Sequence, residues 1–132
     1  MVLHMAPPCS TFSRARDRSH RTRLRSSAAP GGILRGCRVT RLANRIAKRA
    51  VSLAVWAADK LGALVTLENP ATSYLWPYVQ PWTGNSYKDV LLCMCRFGAP
   101  YKKRTHMRCW NWTPRPLRKT CVQIKGRHTF VQ

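Results

Sequence analysis

The stretch Arg38–Leu61, RVTRLANRIAKRAVSLAVWAADKL, followed by Gly62 and by ALVTL over Ala63–Leu67, decides the fold. Val39, Leu42, Ala43, Ile46, Ala50, Leu53, Ala54, Ala57 and Leu61 recur at helical spacing, and Arg41, Arg45, Lys48 and Arg49 lie toward the other side. That pattern predicts an amphipathic helix of about six turns. Gly62 supplies its C-terminal stop. Ala63–Leu67 is short, apolar and partly β-branched, the composition of a buried strand. Upstream, Met1–Ala6 is a second short apolar segment, and Pro7-Pro8 ends it. A strand, a long helix and a second strand in that order predict an α/β sheet with a helical crossover.

Downstream, Ala71–Trp76 has room for one helical turn before Pro77, Pro81 and Gly84 break the chain. Asp89–Phe97 is a third apolar run, expected to be a strand. Gly98–Arg104 is a basic turn, Thr105–Trp112 a fourth, aromatic strand, and residues 113–132 a basic irregular tail holding Pro114 and Pro116. The sequence contains no internal repeat. One domain over residues 1–112 suits a chain of 132 residues.

Charge sets the partner class. Twenty-four Lys and Arg face four acidic residues, for a formal net charge of +20. A polycation of this density attracts phosphate backbones whether or not it reads sequence, so DNA is the leading partner and an anionic membrane surface the second. Arg14, Arg16, Arg18, Arg21, Arg23 and Arg25 lie in a basic run interrupted only by Asp17. Residues 13–36 therefore predict a solvated, mobile loop that clamps phosphates without reading bases. No stretch approaches the roughly 20 apolar residues of a membrane span, and no secretory signal core opens the chain. The expected location is intracellular, nuclear or cytoplasmic, with an Arg- and Ser-rich organellar leader as the alternative.

In a reducing compartment the six cysteines, Cys9, Cys37, Cys93, Cys95, Cys109 and Cys121, are expected as free thiols. Cys95, Cys109, Cys121 and His128 form a conceivable zinc set, although their spacing fits no ribbon or finger pattern. No metal is expected at the Cys9 and Glu68 site.

In α/β sheets, reactive groups gather beyond the carboxyl ends of the strands. Cys9 and Glu68 both fall there, one after each strand joined by the long helix. An accessible thiolate beside a carboxyl group suits pyrimidine chemistry. The thiolate adds at ring C6 and makes C5 nucleophilic, while the acid engages N3 and the exocyclic amine. Arg14 and Arg16 stand close enough in sequence to favour a thiolate at Cys9. Each residue also has a plainer reading. Cys9 can be a small loop residue, Glu68 a helix cap, and Trp76, Trp82, Trp110 and Trp112 packing groups under loops.

Three segments resemble DNA cytosine-5 methyltransferases. Ala6-Pro7-Pro8-Cys9-Ser10-Thr11-Phe12-Ser13 resembles the Pro-Pro-Cys catalytic loop, and Leu67-Glu68-Asn69-Pro70 the Glu-Asn motif. Arg96-Phe97-Gly98-Ala99-Pro100-Tyr101-Lys102-Lys103-Arg104 resembles the later Gly-x-Pro block. All three stand in the family's order, and the resemblance runs from Leu3 to about Trp112. It implies a partial Rossmann-like sheet of the S-adenosylmethionine-methyltransferase type, with one long crossover helix and basic loops. It also implies Cys9 as nucleophile, Pro8, Asn69 and Pro70 as loop-shaping residues, and Glu68 as the group that holds and protonates cytosine. Lys103 falls where the family places an active-site arginine. The pattern departs at Tyr101, where a Gln is expected, and at Thr105, where an Arg is expected. The implied methyl donor, S-adenosylmethionine, is held in the family by a Gly-rich loop upstream of the Pro-Pro-Cys loop. Here only a few residues precede Cys9, so a missing N-terminal half or partner chain is expected to supply it. The alternative is a basic nucleic-acid-binding protein without turnover.

Overall fold

A computed structural model describes residues 1–115, 119–121 and 129–130. The fold is mixed α/β. β1 (Val2–Met5) leads through the basic segment into α1 (Arg38–Leu61), then β2 (Leu64–Pro70) and α2 (Leu75–Val79). β3 (Tyr87–Cys93), β4 (Tyr101–Lys102), β5 (Arg104–Trp110) and β6 (Thr129–Phe130) complete it. The main sheet has four strands in the order β1-β2-β5-β3. β1 and β2 are parallel, with Met5 opposite Leu67, whereas β5 runs antiparallel to both β2 and β3. A short parallel pair joins β4 to β6. The crossover helix expected from the sequence is present, between the parallel strands that require one.

α1 matches its predicted span, and its inward face keeps Ala54 and Ala57 of the predicted stripe, with Ala43 and Ala50 packed against the core, but not the larger apolar residues. The buried residues are Thr40, Ala47, Val51, Ala54, Ala57 and Ala58. Small side chains let the helix axis approach the sheet closely, which the larger apolar residues prevent. Val39, Leu42, Ile46, Leu53, Trp56 and Leu61 are exposed instead, Val39 by 59% and Trp56 by 51%. At the C-terminus Gly62 adopts φ 60°, in the left-handed region, and its N–H donates to the Ala57 carbonyl. Asn111 closes the same end from a distance. Its side-chain amide donates to the carbonyls of Ala58 (2.9 Å) and Ala63 (2.8 Å), and its own backbone sits at φ 64°.

Several boundaries move for local reasons. β2 extends to Pro70, so Glu68 and Asn69 lie within a strand paired to Met107 and His106 rather than in a loop beyond it. Helix α2 begins later than Ala71–Trp76 and includes Pro77. Proline fits there because the first-turn amides have no intrahelical acceptor. β3 stops at Cys93, and Met94–Phe97 coils into a 3-10 turn closed by Gly98 at φ 94°. The third apolar run is therefore a strand followed by a turn.

One sheet face carries Val65, Leu67 and Asn69 alongside Trp110, Arg108 and His106. Val65, Leu67 and Trp110 join Phe12, Tyr74, Leu75, Trp76 and Val79 in the main core under α1 and α2. Glu68, Met107 and Cys109 project from the opposite face.

Candidate catalytic loop

The parallel register sets the loop. Since Met5 pairs with Leu67, the chain leaving β1 through Pro7-Pro8 emerges beside Glu68-Asn69-Pro70. The Asn69 amide donates to the Pro7 carbonyl at 2.9 Å and fastens the two segments together. Just beyond, the Cys9 carbonyl accepts from the N–H groups of Phe12 (2.9 Å) and Ser13 (2.8 Å), which curls the chain into a turn. Phe12 is buried in the core, and its carbonyl accepts from the Tyr74 N–H at 3.0 Å. Cys9 is a free, half-buried thiol at the start of this anchored turn.

Asn69 is 2% exposed, and its Oδ1 has no hydrogen-bond partner among the described residues. Asn69→Leu should cost about 1–3 kcal/mol, because it deletes the donor to Pro7 and leaves that carbonyl unmatched. Chemical denaturation checks the value, and proteolysis should become faster at Pro7–Ser13 before elsewhere.

Glu68 and Lys103 form an ion pair. Lys103 Nζ lies 3.7 Å from Glu68 Oε1, with both side chains partly exposed. Such a pair contributes little stability, so it positions charge more than it holds the fold. Pro70 ends β2, and its carbonyl accepts from Trp76 Nε1 at 3.0 Å.

The basic segment is folded against the domain, contrary to a purely solvated run. Arg14 donates to the Thr72 carbonyl at 2.9 Å and lies over the Tyr74 ring, while Arg16 donates to the Ser10 carbonyl at 2.6 Å. Asp17 accepts from the Tyr74 hydroxyl at 2.6 Å and pairs with Arg23 at 3.7 Å. Arg25 is 1% exposed and therefore is not a surface phosphate clamp. It hydrogen-bonds Thr11, Pro30 and Asn44, and burial pushes its guanidinium down to about 10. Arg18 and Arg21 remain exposed, as do Arg38, Arg41, Arg45 and Arg49 on α1.

No protein-family profile matches the chain, and no curated protein or solved structure matches it either.

Of the four residues of the conceivable zinc set, Cys95, Cys109 and Cys121 are described. Cys109 is buried within β5, where desolvation pushes its thiol up to about 12, and His128 lies outside the described residues. Among the described residues, no three His, Cys, Asp or Glu side chains are arranged to hold a metal ion. No helix is long and apolar enough to cross a membrane, among those same residues.

Sequence reasoning missed a partly exposed cluster of Asp89, His106 and Arg108. Arg108 grips Asp89 with Nε at 2.8 Å and a second guanidinium nitrogen at 3.0 Å, and His106 Nε2 lies 3.1 Å from the same carboxyl group. The His106 ring stacks on Trp76 at 3.9 Å. Asp89 is one of only four acidic residues, which was the one signal available.

Proposed function

We propose that this chain carries the cytosine-activating site of a DNA cytosine-5 methyltransferase-like protein. The observation that carries the reading is the Asn69–Pro7 hydrogen bond. It ties the Pro-Pro-Cys turn to the Glu-Asn strand at one carboxyl edge of the sheet. In this reading Cys9 adds through sulfur to cytosine C6. Glu68 engages N3 as a proton donor, so that negative charge does not accumulate on the ring. Lys103, already paired with Glu68, supplies positive charge beside the base. The exposed arginines hold the backbone.

S-adenosylmethionine, the donor implied by the resemblance, would supply an electrophilic methyl group. The described residues do not fit it. Gly31-Gly32 follows the basic segment instead of a strand, and a Cβ at Gly32 would fall 2.7 Å from the Thr40 side chain, so that glycine serves packing. A second reading, nucleic-acid binding without turnover, draws on the exposed cations of α1 and of Arg18 and Arg21.

The decisive experiment uses a duplex with 2-pyrimidinone at the target position, a base whose C6 accepts a thiolate without a methyl donor. The expected result is a denaturation-resistant adduct with the full chain that Cys9→Ser abolishes. Reversible, salt-sensitive binding that is identical in Cys9→Ser, with no adduct, would establish the non-catalytic reading instead.

A further inference from the structure

α1 leaves one row of its side chains outside the fold. Val39, Leu42, Ile46, Leu53 and Trp56 are exposed, and with Arg49 and Lys60 they recur every three or four residues, so they line one side of the helix. The other contacts of α1 say which side this is. Lys48, roughly 160° around the helix from Ile46, lies 4.7 Å from the Trp82 ring centroid and so marks the flank toward α2 and the 3-10 turn Gln80–Trp82. Gln80 and Thr83 there hold Arg108 of β5, while α1 itself packs chiefly on β2. The row therefore runs along the flank that overhangs β1, the terminal strand of the sheet. Met1, Val2 and Leu64 continue the apolar surface down to that strand, with Val2 73% exposed.

The backbone of β1 points the same way. The Met1 carbonyl accepts from the Leu64 N–H at 3.0 Å, and alternation along the strand then turns the backbone groups of Leu3 and Met5 toward β2 and those of Val2 and His4 toward the open edge. A strand added there would lie about 4.8 Å from β1, and a helix connected to it would meet the row on α1 at roughly 8–10 Å between axes. Open edge and apolar row are thus two surfaces that a single strand–helix unit covers at once. Charge gives that unit its sign. Arg49 and Lys60 stand within the row, Arg38 and Arg45 rim it, and Asp59 is the sole acid in α1.

We propose that the β1 edge and the exposed row of α1 together form a docking surface for an acidic strand–helix unit of another polypeptide. Its strand pairs along β1 as an added edge strand. Its helix lays an apolar face on Val39, Ile46 and Leu53, with carboxylates toward Arg49, Lys60 and the Arg38–Arg45 rim. Other occupants satisfy less of the surface. A second copy would bring its own Arg49 and Lys60 against this row, on two chains of net charge +20. An anionic membrane covers the row but offers no strand to the outward amides of Val2 and His4. A nucleic-acid backbone takes the cations and leaves Val39, Ile46 and Leu53 in water. Docking here uses neither Cys9 nor Glu68, so it stands or falls apart from the chemistry assigned to them.

The test uses the full chain and two designed strand–turn–helix peptides. In one, the helix carries Leu at three- and four-residue intervals with Glu beside each; in the other, Lys replaces every Glu. At low salt the acidic peptide should bind at least about tenfold more tightly than the basic one by fluorescence anisotropy, and Arg45→Gln with Arg49→Gln should narrow that gap. A chain of this charge attracts acidic peptides at many places, so two further readouts locate the contact. Leu42→Ser with Ile46→Ser, both at exposed positions, should weaken binding about tenfold. In the bound state the His4 amide should exchange with solvent about tenfold more slowly by NMR. Equal affinity for the two peptides, binding that ignores the serine pair, or unchanged His4 exchange overturns the proposal. So does row-dependent binding to phosphatidylserine vesicles in place of the peptide, which would assign the surface to a membrane. A dimer at low salt that the serine pair dissolves would assign it to a second copy and overturn the proposal as well.

Discussion

Replacing Arg108 by alanine is expected to destabilise the domain by about 3–5 kcal/mol, a large share of what a domain of this size possesses. Arg108 is 3% exposed and makes four hydrogen bonds, two to Asp89 and one each to Gln80 and Thr83 at 3.1 Å. Its guanidinium also lies 4.0 Å from the Tyr87 ring centroid. Alanine removes all of this and leaves the Asp89 carboxylate with His106 alone. An apolar pair, Arg108→Met with Asp89→Leu, should lose less than Arg108→Ala, because it leaves no lone charge behind. Urea denaturation of the single and double variants measures the difference.

The same cluster gives the acid limb of stability its sign. Burial alone would push the Asp89 carboxyl up, but the hydrogen bonds and charges of His106 and Arg108 outweigh it and hold the group at about 2, below its ordinary 3.8. The unfolded chain therefore binds more protons between those values. The contribution is complete above the unfolded value and disappears as pH falls toward 2. Since the carboxyl is about a third exposed, its size is on the order of 1–2 kcal/mol after screening. Asp89→Asn should flatten the denaturation midpoint over that pH window.

Arg25→Ala should be nearly as damaging, at about 3–5 kcal/mol, and for a reason unrelated to DNA. The guanidinium donates to the Thr11 carbonyl and hydroxyl at 3.0 Å each, and to the Pro30 carbonyl and Asn44 Oδ1 at 2.7 Å each. It stacks 3.6 Å over the Phe12 ring, three residues beyond Cys9. Its loss unpins the Cys9 turn and the entry to α1 together. Arg25→Lys keeps the charge but not the planar fork, so it should recover only part of the loss. Arg18→Gln and Arg21→Gln on the exposed surface should leave the unfolding midpoint within about 0.5 kcal/mol and weaken DNA binding. Measuring thermal unfolding and binding on the same variants separates the two kinds of arginine.

The span of α1 was legible because one periodic run, uninterrupted by proline, ends in glycine. Its orientation was legible only in part: Ala54 and Ala57 of the periodic stripe are buried, whereas Leu42 and Ile46 are exposed and Ala47 and Val51 take the inward positions. Arg25 and Arg108 look like other arginines in the sequence, since burial depends on partners 5 to 28 residues away. The nearness of the Pro-Pro-Cys turn to the end of β2 was visible, because parallel strands joined by one helix place their ends together, although Glu68 proved to lie within the strand. The Asn69–Pro7 bond that fixes them required the register, which the sequence does not display.

β1 lies at the edge of the sheet, and Met1, Val2, Leu61 and Leu64 leave apolar surface around it. An open edge of this kind invites strand-to-strand association. The net charge of +20 opposes it by keeping copies apart. That protection depends on the solvent: repulsion reaches about 10 Å at 0.1 M salt but only about 3 Å at 1 M. High salt therefore removes the colloidal shield while leaving the apolar edge in place, so association of copies through β1 should grow with ionic strength.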